Sequence, residues 1–157
     1  MGKGEKLTES ELRLRISSYC AYQERSPKQV QEKLSTLNTD AIINERVIKW
    51  ATDEKFVSES RFAKNYVHGK FHLKKWGRYK IKAGLKAHDI STQIIGKAIA
   101  QLDNTNYVET LITLGIKKFQ SIKKTDQNKW RKTENYLIGK GFETKLILEN
   151  KEKIENG

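Results

Sequence analysis

His68 and His72 stand four residues apart, the spacing that puts two imidazoles on one helical face and suits a divalent metal. Gly69 fills the place where an H-E-x-x-H hydrolase carries its glutamate, and no Cys, Asp or Glu nearby offers a third ligand. The lysines around the pair repel a cation, so the histidines are assigned to a basic surface and no metal is expected. Cys20, the single cysteine, excludes an internal disulfide and suits a reducing compartment. Between Tyr19 and Ala21 it reads as a small core residue with no group beside it to activate the thiol. Gly139-Lys140-Gly141 is too short for a phosphate loop and stands where a helix needs a C-cap. There is no G-x-S-x-G and no carboxylate pair in a plausible pocket, and Glu9, Glu11, Asp53 and Glu54 read as caps and connectors. The expectation is a non-enzymatic protein without a cofactor.

What remains is charge. Between Glu59 and Asp89 there is no carboxylate, yet the interval holds Arg61, Lys64, Lys70, Lys74, Lys75, Arg78, Lys80, Lys82 and Lys86. Arg78, Lys82 and Lys86 fall at i, i+4 and i+8, a repulsive stripe that helix stability alone does not justify. Lys70, Lys74 and Lys75 extend it upstream, and Tyr79 is the aromatic expected to be exposed. Trp76 and Trp130 are expected to fill contacts between repeats rather than stack on bases. The net charge of +12 and the pI of about 9.7 point the same way, toward a polyanion or the acidic groove of a partner.

These residues need elements to carry them. The chain has 157 residues, 36% hydrophobic and 32% charged, which suits thin helical modules better than one large globule. A single proline, Pro27, leaves helices uninterrupted. No apolar run is long enough to span a bilayer, and the start MGKGEKLTESE lacks the apolar core of a signal peptide. Lys6 breaks the myristoylation pattern that would begin at Gly2. A soluble, cytoplasmic monomer is expected.

Thr8-Glu9-Ser10-Glu11 is a capping box opening a helix over 8–24, and Ser26-Pro27-Lys28-Gln29 opens a second. Asn38-Thr39-Asp40 breaks the pattern before a third helix on Ile43, Val47, Ile48 and Ala51. The stretch 56–102 holds three more. Helices over 107–122, around Trp130 to Ile138, and from Glu143 into a charged tail expected to fray complete nine. Leu34, Leu85 and Leu137 are spaced by 51 and 52 residues. Four residues on come the stoppers Asn38, Asp89 and Gly141; nine on come Ile43, Ile94 and Leu146; seventeen on come Ala51, Leu102 and Ile154. The columns predict an all-α protein of three tandem three-helix repeats, 7–55, 56–103 and 104–155, stacked into an elongated, curved array.

The run Phe56-Val57-Ser58-Glu59-Ser60-Arg61-Phe62-Ala63, then Trp76-Gly77-Arg78-Tyr79-Lys80-Ile81 and Leu85-Lys86-Ala87-His88-Asp89-Ile90, resembles the middle repeat of the RecX regulatory proteins of bacteria. Ser26 to Leu34 is similar to that family's first-repeat helix, and Leu137 to Phe142 resembles the matching element of the third. Ser58 and Ser60 flank Glu59 where the family commonly shows paired aspartates. Asp89 replaces a usual glycine, and an insert over 119–128 makes the third repeat irregular. The resemblance implies tandem three-helix repeats and a protein that binds the RecA recombinase filament and restrains it. Lys70, Lys74, Lys75, Arg78, Tyr79, Lys82 and Lys86 are the expected contacts to filament or DNA. A direct DNA- or RNA-binding protein acting without RecA is the alternative, and a helical scaffold for another acidic protein a third.

Overall fold

Caps decide where most of these helices begin. In the computed structural model, which describes residues 5–38 and 40–157, the Thr8 hydroxyl accepts from the Glu11 amide while the Glu11 carboxylate accepts from the Thr8 amide. This opens α1 (Glu9–Tyr22), and Ser26 and Gln29 repeat the arrangement to open α2 (Pro27–Leu37), with Pro27 at the first helical position. Asp40, Ser58, Ser91 and Asp103 cap α3 (Ala41–Asp53), α4 (Glu59–His72), α6 (Thr92–Ala100) and α7 (Asn104–Ser121) through their side-chain oxygens. Among the first eight helices two lack a side-chain cap: α5 (Arg78–Ala87), which begins after Gly77, and α8 (Lys129–Gly139). The readings placed on Gly2 and Thr39 lie outside the described residues.

The last helix departs from expectation. It is broken at Asn150 into α9 (Thr144–Glu149) and α10 (Lys151–Glu155), so the described residues hold ten helices rather than nine. Asn150 is buried, its side-chain amide donates to the Leu146 carbonyl at 2.8 Å, and its backbone has φ −109° and ψ 11°. A side chain competing for a carbonyl in this way favours a turn over a continuing helix. The break swings the charged tail inward instead of leaving it to fray. Ile154 is fully buried, packed where Gly115 leaves α7 without a side chain, and Gln120 donates to the Gly157 carbonyl at 3.1 Å.

The repeat columns hold in space. Leu34, Leu85 and Leu137 are all fully buried, as are Ala51 and Ile154, while Ile43, Ile94, Leu102 and Leu146 pack against the cores from their edges. The stoppers work through the backbone: Asn38 ends α2 in an extended conformation, whereas Asp89 (φ 58°) and Gly141 (φ 99°) occupy the left-handed region. That region favours glycine and tolerates aspartate, the residue at position 89.

Every pair of helices in substantial contact lies within one unit: α1–α3, α4–α6 or α7–α10. The accessible surface, 10399 Å², exceeds by about a quarter the roughly 8,100 Å² of a compact monomer of this mass. The fold is an all-α elongated array of three-helix units. Its apolar core divides unevenly. Leu12, Ile16, Val30, Leu34, Val47 and Ala51 of the first unit form one cluster with Val57 from the chain leading into α4, and a second cluster runs continuously through the other two units.

Candidate basic docking surface

Two of the nine cations of the middle unit are spent inside the fold. Arg61 reaches back to the first unit, its Nε donating to Glu24 at 3.0 Å and its guanidinium to the Lys55 carbonyl at 2.7 Å. Arg78 reaches forward to the third. It donates to Glu143 at 2.8 Å and to Asn104 at 3.2 Å, and its guanidinium lies 3.8 Å from the centroid of the Tyr107 ring. The Arg78 amide donates to the Tyr107 hydroxyl at 2.9 Å, and that buried hydroxyl donates in turn to the other oxygen of Glu143. Burial and the carboxylate beside it raise the Tyr107 pKa far above the usual phenol range. Arg78, expected at the head of an outward stripe, is thus a clasp between units.

The clasp closes over a backbone contact. The Gly77 amide donates to the Lys140 carbonyl at 2.7 Å and the Tyr79 amide to the Gly141 carbonyl at 3.0 Å. A Cβ on Gly77 would stand 2.3 Å from the Gly141 carbonyl carbon. Phe71, Tyr107 and Phe142 stack beneath, ring to ring.

The other seven cations, Lys64, Lys70, Lys74, Lys75, Lys80, Lys82 and Lys86, have no carboxylate within ion-pair distance among the described residues. Lys64, exposed on α4, stands apart, and the others fall into two groups. On α5, at about 100° per residue, Tyr79, Lys82 and Lys86 share one outward strip opposite the buried Ile81 and Leu85. All three are exposed, Tyr79 at 63%. The second group surrounds Trp76, whose ring has the Lys70 ammonium at 4.7 Å and the Lys80 ammonium at 4.5 Å. Lys140 joins it from the third unit, donating to the Lys74 carbonyl at 2.7 Å. Burial, then the charges of Lys80 and Lys74, lower the Lys140 pKa, the mark of ammonium groups crowded together. Lys75 holds the left-handed turn between α4 and α5 and is exposed.

Lys80 and Lys140 were absent from the expected contacts. Lys80 lies within the acid-free run and was legible there; Lys140 becomes a neighbour of Lys74 only through the packing of two units. Trp76 and Trp130 are both partly buried against the shared core. The rings of His68 and His72 are 4.4 Å apart on the exposed side of α4, and the described residues contain no cluster of three groups fit to hold a metal ion. Cys20 is half-buried against the first core, and burial raises its thiol above the ordinary value, away from reactivity. Among the described residues no helix is long and apolar enough to cross a membrane.

Comparison with known proteins agrees with this architecture. Residues 58–99 match the family model for the second three-helix domain of RecX, and residues 105–149 the model for its third. A regulatory protein RecX of Clostridium acetobutylicum is 33% identical over 123 residues, 75% of this chain and 56% of its own length. The RecX of Clostridioides difficile is 31% identical over 137 residues, 87% of this chain and 64% of its own. The chain therefore spans less than two thirds of the length of these curated relatives. The crystal structure of RecX from Lactobacillus salivarius superposes with a TM-score of 0.83 at 23% identity, covering 95% of this chain and 97% of the other, a likeness of fold. With the two family models together covering more than half of its residues, this chain belongs to the RecX family of regulatory proteins.

Proposed function

We propose that the chain is a non-enzymatic modulator of the RecA recombinase, acting as a cytoplasmic monomer that lies along the recombinase–DNA filament and restrains its activity. Its modules are the units 7–55, 56–103 and 104–155. The main contact is the middle unit: Lys82, Lys86 and Tyr79 on the outer strip of α5, with Lys70, Lys74, Lys75, Lys80 and Lys140 beside it. The observation that carries this reading is the set of seven middle-unit cations without a carboxylate partner among the described residues. Unpaired like charges spaced by one helical turn weaken a helix by a few tenths of a kcal/mol per pair. A docked polyanion or acidic groove turns that repulsion into attraction. Arg78 serves the contact indirectly, by fixing the third unit and hence Lys140 against the second.

The test is ATP hydrolysis by RecA on single-stranded DNA, titrated with this chain and with its Lys82→Glu/Lys86→Glu variant, Arg78 being left intact so that the clasp survives. Suppression at amounts well below one chain per RecA, lost in a variant with unchanged helicity and melting, is the expected result. Undiminished suppression by the folded variant removes this surface from the proposal. The alternative, direct binding of DNA or RNA, predicts equal retention on bare and RecA-coated DNA, with suppression only at amounts that coat the strand.

A further inference from the structure

The connection between α7 and α8 concentrates charge that the middle-unit contact leaves unused. From Lys117 to Lys132 the chain has seven lysines and arginines and a single carboxylate, Asp126. Asp126 is consumed by the turn itself: one oxygen accepts from the Asn128 amide at 2.8 Å and the other takes the Lys132 ammonium. Those two bonds, Lys132 first, hold its pKa below the ordinary value. Lys117, Lys118, Lys123, Lys124, Lys129 and Arg131 have no carboxylate within ion-pair distance among the described residues. The next acid, Glu134, forms no ion pair there either.

A solvated loop accounts for part of this and no more. Lys118 lies in the last turn of α7, where the helix dipole favours a cation. Lys129, Arg131 and Lys132 occupy the first turn of α8, where it disfavours them, and that helix has neither an acid in its first turn nor a side-chain cap. Local stability is thus sacrificed to keep three cations at one spot. Two of the three are placed by contacts, Lys132 by Asp126 and Lys129 by the Phe119 ring, whose centroid lies 4.1 Å from its ammonium, while on α7 the Lys118 ammonium lies 5.2 Å from the centroid of the Tyr136 ring. Trp130 and Phe119 are partly buried beneath cations, Lys151 covering Trp130, so neither is free to stack on a base or enter a bilayer. What the connection offers is mostly exposed positive charge, unpaired among the described residues and close together along the chain, which suits the phosphates of a nucleic acid whatever its sequence.

We propose that the α7–α8 connection is a second, separate contact for nucleic-acid phosphates, centred on Lys123, Lys124, Lys129 and Arg131. Its distance from the middle-unit contact is set by α8. That helix starts at Lys129 and ends beside Lys140, so its eleven residues part the two cationic groups by about 16 Å, roughly five base pairs along a duplex. Engaging both at once raises the retention of the chain on one polyanion beyond what either group gives alone.

The experiment measures anisotropy of a fluorescent DNA duplex, without RecA, across a salt series, for the intact chain and for Lys123→Gln/Lys124→Gln. Both residues lie outside helices, and circular dichroism checks that the fold is kept. The plot of log affinity against log salt should lose about 1.8 from its slope, about 0.9 for each phosphate contact removed. Three results overturn the inference: an unchanged slope and affinity in the variant, no duplex binding by the intact chain at low salt, or loss of binding to phosphatidylserine vesicles with duplex binding unchanged. This assay contains no RecA and the recombinase assay reads ATP hydrolysis, so failure of this contact and failure of the recombinase reading are seen separately.

Discussion

Gly77→Ala isolates the backbone contact that joins the second and third units. Gly77 has φ −79° and ψ 172°, a conformation alanine adopts freely, so any cost comes from space and not from backbone strain. The added methyl would sit 2.3–2.4 Å from the Gly141 carbonyl and the Phe142 amide nitrogen, about 1 Å inside contact distance, with backbone on the far side that cannot rotate away. Relief requires the units to part by about that much. The hydrogen bonds from Gly77 to Lys140 and from Tyr79 to Gly141 then lengthen from 2.7 and 3.0 Å toward rupture. Overpacking costs about 1–3 kcal/mol and each lost hydrogen bond about 0.5–1.5, partly offset by the entropy alanine removes from the unfolded chain. The sum is about 1–5 kcal/mol, which lowers a urea midpoint by about 0.5–2.5 M for a slope near 2 kcal/mol per M. Gly69→Ala and Gly96→Ala are the controls. Both glycines lie inside helices, and beyond the helix's own backbone and the adjacent residues nothing comes within 4 Å of the new methyl, so the same chemical change should stabilise by about 0.5–1 kcal/mol. The assay is urea unfolding followed by tryptophan fluorescence and circular dichroism. A Gly77→Ala variant within about 0.5 kcal/mol of the parent, or a Gly96→Ala variant destabilised as much as Gly77→Ala, refutes the reasoning.

His88 sits where the first and second units meet, against the rings of Phe62 and Tyr66 and 3.4 Å from the Ser26 hydroxyl. Burial and then Lys28 push its pKa below the ordinary value, with Lys70 adding and Glu32 and Asp89 opposing. The unfolded chain therefore takes up the proton first, and stability falls as pH drops through about 6.5. The melting advantage of the parent over His88→Gln should shrink between pH 7 and pH 5, whereas a constant offset contradicts this. Ile154→Ala should cost about 2–5 kcal/mol in urea unfolding, because its side chain fills the space left by Gly115, while Lys153→Ala at the exposed neighbouring position should stay within about 0.5. Equal effects of the two would mean an undocked tail.

What the sequence discloses and what it hides divide by range. Thr8 with Glu11 and Ser26 with Gln29 are bonds across three residues, and both capping boxes form as their spelling predicts. The Leu34, Leu85 and Leu137 column is legible because each repeat must bury the same face. Arg78 is the opposite case. Its partners Asn104, Tyr107 and Glu143 lie 26 to 65 residues ahead, so a stripe counted on one helix could not reveal that its first member turns toward another unit. Lys140 was hidden in the same way: its C-cap role is local, while its place beside Lys74 is not. The break at Asn150 depends on a carbonyl four residues back and on burial, and an asparagine within a charged tail announces neither.

The two junctions of the array are built differently, and the difference bears on how its charged surfaces can be used. Between the first and second units the contacts run through side-chain ends: Lys28 to the Ala87 carbonyl at 3.0 Å, Ser26 to His88 and Arg61 to Glu24. The apolar core of the first unit takes in Phe56 and Val57 from the chain leading into α4 and stays separate from the core beyond. Between the second and third units the chain backbones touch and one core passes through both, from Phe62 to Ile154. In a linear array stability is a sum of unit and interface contributions, so the weaker interface opens at lower cost. The lysines of α5 and those of the α7–α8 connection both belong to the fused pair, which fixes their spacing before any partner arrives and reduces the ordering cost of a contact that uses both. Among the described residues the first unit is tied to the second by one partly exposed ion pair, which contributes little on its own, so this junction is the one expected to open at lower cost.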